Sequence, residues 1–299
     1  MTSDERIEQS GAYWDTHNLA ASEDVRYWLA VPEIRAAVNL RLTGKPDTLY
    51  ITEFVESLAA PVERVLSVGC GAGELERGVA GHGAAHRIDG VDVSEASLRE
   101  AERLAREQGF GDRIGYHRVD AARWLRAQGE GSYGLIFFHG SLHHIENLEE
   151  VLSLAAAALR GTNPGLLYVD EYVGPSRDEW TTEDLGFAAG LFGLVPQEHR
   201  RTPAVWPPIA MEDPTEMIRS SAIDRIVREH FDLLDYQPYY GNVLLPLVSA
   251  IRGSSLGHPA ISSILREAVA LESYLAERRL LRPLYAAYVG RPAGHEGST

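Results

Sequence analysis

The stretch Arg64-Val65-Leu66-Ser67-Val68-Gly69-Cys70-Gly71-Ala72-Gly73 decides the fold. Its first five residues favour a strand, and they run directly into glycines at every second position. A strand that ends in such a loop and opens a helix lets backbone come close to a ligand, because no Cβ stands in the way. Downstream, short apolar runs alternate with helical patterns. Ile88-Asp89-Gly90-Val91-Asp92 predicts a second strand, Ile114-Gly115-Tyr116-His117-Arg118-Val119 a third and Leu166-Leu167-Tyr168-Val169 a fifth. The fourth, Leu135-Ile136-Phe137-Phe138, is continuously apolar and is expected to be buried on both faces. After the second strand, Ser94 can cap a helix that carries Glu95 in its first turn, aligns Leu98, Ala101, Leu104 and Ala105, and stops at Gly109. Another helix runs through Leu148, Val151, Leu152, Ala155 and Leu159. This alternation predicts an α/β fold with a parallel sheet covered on both sides.

Working outward, the chain divides into four stretches. Residues 1–60 carry Tyr13-Trp14, Tyr27-Trp28-Leu29 and a helical pattern through Ile34, Val38 and Leu42, and read as an N-terminal helical cap. Residues 61–171 are the ligand-binding core. Residues 172–222 are rich in proline, glycine and aromatics, with Trp180, Phe187, Phe192 and Trp206, and read as an insertion or lid. Residues 223–299 return to sheet, with Phe231-Asp232-Leu233-Leu234 and 284–289 as late strands around a helix near 262–279, and complete the core. Residues 292–299 read as a frayed tail.

Charge and composition narrow the function. A formal net charge of -15 disfavours nucleic acid and anionic membrane as partners. The single cysteine, Cys70, excludes an internal disulfide and a cysteine-rich zinc site. The acidic start Met1-Thr2-Ser3-Asp4-Glu5 is not a signal peptide, and no apolar run reaches membrane-spanning length, so a cytoplasmic location is expected.

The candidate chemistry collects at strand ends. The dinucleotide fingerprint wants a third glycine or alanine where this chain has Glu74. A carboxylate at that helix N-terminus would meet a pyrophosphate, so the loop favours a ligand without phosphates, such as S-adenosylmethionine. Asp92, at the end of the second strand, can accept from both ribose hydroxyls; Ser94 is free to take the capping role. Asp120-Ala121 ends the third strand, where a carboxylate can accept from an adenine amino group or cap the next helix. His139-Gly140-Ser141-Leu142-His143-His144-Ile145 follows the fourth strand, and an imidazole there can serve as a base near neutral pH. Metal binding is not expected, because paired histidines without a spaced third ligand make a poor site. Glu171, after the fifth strand, is a candidate for orienting substrate or accepting a proton, or for pairing with Arg177.

These motifs, taken together, resemble the class I S-adenosylmethionine-dependent methyltransferases, through Val65 to Gly73, Gly90-Val91-Asp92-Val93-Ser94, Val119-Asp120-Ala121 and Gly140 to Ile145. Tyr27-Trp28-Leu29, Asp170 to Arg177 with Trp180, and Asp213 to Ser220 resemble a bacterial branch that accompanies glycan or secondary-metabolite biosynthesis. The resemblance implies a Rossmann-like seven-stranded sheet of order 3-2-1-4-5-7-6 with strand 7 antiparallel. It also implies cofactor contacts from Gly69, Cys70, Gly71, Gly73, Asp92, Val93, Asp120, Ala121, His139 and His144.

Methyl transfer is an in-line displacement at a sulfonium carbon, so the protein mainly aligns the reactants and excludes water. A hydroxyl acceptor needs a base, for which His143 and Glu171 are the candidates; a carboxylate or a neutral amine needs none. The aromatics Tyr13, Trp14, Trp28, Tyr172 and Trp180 suggest a small-molecule acceptor with ring or apolar surface. Two rivals stand beside this reading: a scaffold that binds the cofactor without transferring methyl, and an NAD-dependent oxidoreductase, which Glu74 disfavours.

Overall fold

The strand that leads into the glycine loop, β1 (Val62–Val68), forms the middle of the sheet. It pairs in parallel with β2 (Ala85–Asp92) on one side and β4 (Leu135–His139) on the other. β3 (Ile114–Arg118) extends the sheet beyond β2, and β5 (Leu166–Tyr172) extends it beyond β4, both in parallel. β6 (Phe231–Tyr239) and β7 (Tyr285–Pro292) close it as an antiparallel pair, with β7 antiparallel to β5. The seven-stranded order is 3-2-1-4-5-7-6, as the resemblance implied. This computed structural model describes residues 2–16 and 27–294. Of the stretch read as a tail, Pro292 ends β7, and residues 295–299 lie outside the described residues.

The central strands are apolar on both faces because both faces are covered. Leu66, Ile136, Phe138, Leu167 and Val169 point into a core roofed by α6 (Ala121–Gln128), α7 (Leu148–Leu159) and α9 (Ile223–His230). Their neighbours Val65, Leu135, Phe137 and Tyr168 point the other way, against α3 (Tyr50–Ser57), α4 (Glu74–Gly81) and α5 (Glu95–Glu107). Ser94 caps α5 as expected, its Oγ accepting from the Ser97 amide at 3.1 Å.

A second core lies off the carboxyl edge of the sheet and gathers distant pieces of chain. α2 (Pro32–Thr43), α8 (Thr182–Phe192), α10 (Leu244–Ser249) and α11 (Pro259–Glu277) share it, through Trp28, Ile34, Ala188, Phe192, Leu247 and Leu265. The stretch that carries β6 and β7 therefore also contributes two helices to this layer. α1 (Ser3–Thr16) sits apart from it, on the end of α5: Asp15 accepts from Ser94 Oγ at 2.8 Å and from the Ala96 amide at 2.9 Å.

Glu272 of α11 is buried in this cap, where it accepts from the amides of Val243 and Leu244 at 2.8 and 3.2 Å. Burial pushes its carboxyl up to about 7, against those hydrogen bonds, which favour the anion. The folded state therefore holds a proton that the unfolded chain releases near its ordinary 4.5. The stability this contributes is complete below the unfolded value and is lost as pH rises through about 7. Relative to wild type, Glu272→Gln should gain up to about 3 kcal/mol between pH 5 and pH 8. Urea unfolding of both proteins at the two pH values checks this, and a difference that does not change with pH would refute it.

Candidate active site

The glycine loop owes its shape to positions where a side chain has no room. Gly69 has φ +69°, and a Cβ there would lie 2.4 Å from that of Ser141. Gly73 has φ +74°, and a Cβ there would meet the Tyr116 hydroxyl at 2.3 Å. Asp92 ties the loop to the next strand: its Oδ2 accepts from the Gly71 amide and its Oδ1 from the Ser94 amide, both at 2.8 Å. Burial raises the Asp92 carboxyl, and these backbone bonds hold it partly down.

A cavity of about 1060 Å³ opens above this loop. It is large for one ligand, since pockets commonly span roughly 300–1,000 Å³. Gly69, Gly71, Asp92, Val93, Asp120, Ala121 and His139 line one part of it. His143, His144, Tyr13, Trp14, Trp28 and Tyr172 line the same cavity. Asp120 also caps α6, its Oδ1 accepting from the Arg123 amide at 2.9 Å, so the capping role is real and occupies one oxygen.

Four residues from the sequence reading do not line the cavity. Cys70 turns beneath the loop, its Sγ 3.0 Å from where a Cβ on Gly90 would lie, and burial raises its thiol well above the ordinary value. Gly73 makes room for Tyr116. Trp180 packs into the cap core. Glu171 stands behind the cavity wall with its side chain 0% exposed, too deep to touch an acceptor. It accepts instead from the Leu142 amide at 2.9 Å and from His143 Nδ1 at 2.9 Å. It does not pair with Arg177, whose guanidinium donates to the carbonyls of Asp213 and Pro214.

The His143–Glu171 pair changes the chemistry of the imidazole. Burial alone would lower its affinity for a proton. The charge and hydrogen bond of Glu171, with Glu216 and Asp213 nearby, outweigh that and push it up to about 9. His144 goes the other way, held well below the ordinary histidine value by burial and by the charge of His143.

The last part of the lid, to which no chemistry was assigned from sequence, reaches the site. Asp213, fully buried, accepts from Trp14 Nε1 at 2.9 Å and from the Thr215 hydroxyl at 2.7 Å, pinning α1 over the cavity. Arg6 of α1 adds an ion pair with Glu146, and Trp14 meets the His144 ring edge-on at 5.6 Å. Thr215 and Glu216 line the cavity, as do Asp170 and Tyr239, whose hydroxyl donates to Asp170 at 2.6 Å. Glu216 stands beside His144, its Oε2 4.0 Å from Nε2, so the paired histidines gain the third donor that their local sequence lacks.

Residues 65–162 match the methyltransferase-domain family. A ubiquinone biosynthesis O-methyltransferase from Hahella chejuensis is 32% identical over 140 residues, which are 47% of this chain and 53% of that one. The protein of the same name from Bordetella avium is 30% identical over 36% of this chain and 44% of its own. The chain thus spans about half the length of the curated relatives it matches. Among solved structures, a geranyl diphosphate C-methyltransferase from Streptomyces coelicolor, in complex with S-adenosyl-L-homocysteine, superposes with a TM-score of 0.56. That match covers 97% of this chain and 99% of the other at 14% identity. The cyclase SpnF superposes with a TM-score of 0.54 over 95% and 96% of the two chains, at 17% identity. With the sheet order and the glycine loop, the match defines a class for residues 65–162: a methyltransferase domain, set in a Rossmann-like seven-stranded sheet. No helix among the described residues is long and apolar enough to cross a membrane.

Proposed function

We propose that the whole chain transfers methyl from S-adenosylmethionine to an oxygen of a small acceptor with ring or apolar surface, and that His143 takes the acceptor's proton. One observation carries the oxygen assignment. His143 lines the same cavity as Gly69, Gly71 and Asp92, while its Nδ1 is held at 2.9 Å by the buried Glu171. A carboxylate on Nδ1 fixes the tautomer of the neutral ring. With the imidazole held up to about 9, Nε2 is open to the acceptor's proton only in the deprotonated fraction, so turnover should rise with pH toward about 9. An amine or carboxylate acceptor would have no need of this base.

The donor set fits the cofactor. Gly69 and Gly71 expose backbone to its methionine end, Asp92 keeps lone pairs for the ribose hydroxyls, and Asp120 has Oδ2 for the adenine amino group. When bound, the cofactor supplies an activated methyl group. Tyr13, Trp14, Trp28 and Tyr172 would flank the acceptor, and α1 would exclude water from the sulfonium. The relatives named for ubiquinone O-methylation favour a phenolic ring as the acceptor class. The resemblance to the bacterial branch favours a secondary-metabolite or glycan setting within the cytoplasm.

Incubation with methyl-labelled cofactor and matched phenols, benzoates and anilines tests the reading. Label should appear on phenolic oxygen, and His143→Asn should slow its appearance by about two to four orders of magnitude. Label confined to amines or carboxylates would overturn the oxygen assignment. Retention of cofactor with no transfer to any acceptor would favour a scaffold that does not transfer methyl.

A further inference from the structure

His143, His144 and Glu216 each offer one donor atom within 4.8 Å of the other two, and all three line the cavity. We propose that they bind a divalent cation of borderline softness, with Zn²⁺ as the type, in a two-histidine, one-carboxylate site open toward the acceptor. The proposal rests on the reading of this cavity as the acceptor pocket and adds a second means of activating the acceptor oxygen.

The ligand set suits the ion. Two imidazoles and a carboxylate are a familiar catalytic zinc set, with a further position left for water or substrate. The surroundings are also those of a metal site. Metal-binding histidines almost always engage their other ring nitrogen with a carboxylate, carbonyl or hydroxyl, which fixes the ring and raises its basicity. Here Nδ1 of His143 is held by Glu171 at 2.9 Å. Nδ1 of His144 is held by the Thr215 hydroxyl at 3.2 Å, with Asp213 Oδ2 at 3.4 Å. Both rings therefore keep Nε2 for an ion. The bracing carboxylates Glu171 and Asp213 lie outside the cavity lining, whereas the three ligands lie in it.

Charge points the same way. The side chains of Glu171 and Asp213 are 0% exposed and that of Glu216 is 11% exposed. Among the described residues no hydrogen bond reaches the Glu216 carboxylate, whose Oε2 lies 4.0 Å from His144 Nε2. Arg177, the nearby guanidinium, donates to the carbonyls of Asp213 and Pro214 and to Met211 Sδ. Three sequestered carboxylates around two imidazoles leave negative charge that a dication would offset. Tetrahedral zinc at bonds of about 2.0 Å sets donor atoms about 3.3 Å apart, so the gap between His144 and Glu216 closes with a side-chain adjustment under about 1 Å.

A cation held here would polarise an acceptor hydroxyl that reached its open position. The hydroxyl's proton would pass to water. The oxygen would bond to the methyl carbon as the carbon–sulfur bond breaks, its electron pair remaining on sulfur. In the loaded protein His143 would serve as a ligand; in the metal-free protein it would serve as the base.

The test uses the full chain, equilibrated with Zn²⁺ or Co²⁺ and dialysed. One equivalent of zinc per chain by metal analysis is expected, with the visible bands of low-coordinate Co²⁺. His144→Ala and Glu216→Gln should each weaken zinc binding by at least about tenfold. Glu216→Gln keeps the shape of the side chain, so its circular dichroism and melting should match wild type and exclude misfolding as the cause. His199→Ala, which alters the His199–His258 ring pair at 4.4 Å in the cap, should bind zinc as wild type does. Substoichiometric zinc, or unchanged affinity in both site variants, would overturn the site. Methyl transfer to oxygen that survives verified metal removal undiminished would overturn the metal's part in activation and leave the base reading standing. Stoichiometric zinc with no oxygen methylation would uphold the site and sink the oxygen assignment.

Discussion

Replacing His143 by asparagine should lower turnover of a hydroxyl acceptor by about two to four orders of magnitude, the usual contribution of a positioned base. Affinity for S-adenosylhomocysteine should stay within about twofold. The reason lies in how the residue is held. His143 has two distinct nitrogens, and Glu171 occupies Nδ1 at 2.9 Å. Asparagine can still donate an amide N–H to Glu171, so the buried carboxylate keeps a partner, but nothing remains to accept an acceptor proton. Alanine is the harsher variant. It would leave Glu171 with the Leu142 amide as its remaining partner, at a cost in stability of about 1–3 kcal/mol. Equal losses of turnover in the two variants, with a stability loss only in alanine, separate chemistry from folding. Turnover within threefold of wild type in His143→Asn would remove the histidine from the reaction.

What could be read from sequence divides along the range of the interactions. The glycine loop, Asp92 and the Ser94 cap are local devices. A strand must run into Gly69, and the next strand must bring an acid beside it, so residue type and spacing carry the answer. The buried position of Glu171 also has a local cause. The apolar run stops at Val169, which suggests a loop at Glu171, but β5 continues to Tyr172 because β7 pairs with it there. Alternation along a paired strand then turns Glu171 to the side of Val169, inward, toward the Leu142 amide. The cap was harder still. Trp28, Phe192, Leu247 and Leu265 come from four separate segments, and no periodicity in one announces the others. Glu216 is the extreme case: it reaches His144 only because Asp213 and Thr215 are fastened to α1 by Trp14 and Ser10. Pairing of that kind leaves no trace in residue spacing.

Asp92→Ala should weaken binding of S-adenosylhomocysteine by about 1–3 kcal/mol, or roughly fivefold to 150-fold, the worth of charge-assisted hydrogen bonds lost from a buried site. Two effects are mixed in that figure, because the same carboxylate holds the Gly71 amide through Oδ2 and the Ser94 amide through Oδ1. Its loss would both loosen the loop and remove the acceptor for the ribose. A cycle with the ligand resolves them. An S-adenosylhomocysteine analogue without the ribose 2′-hydroxyl should bind wild type more weakly, because the hydroxyl's partner is then left unpaired. The same analogue should bind Asp92→Ala about as well as the parent ligand does, since the partner is already gone. The coupling energy between residue and hydroxyl, measured by calorimetry at fixed salt, should be at least about 1 kcal/mol. Zero coupling with weakened binding would mean that Asp92 serves the loop alone. Unchanged binding throughout would show that neither role matters to the cofactor.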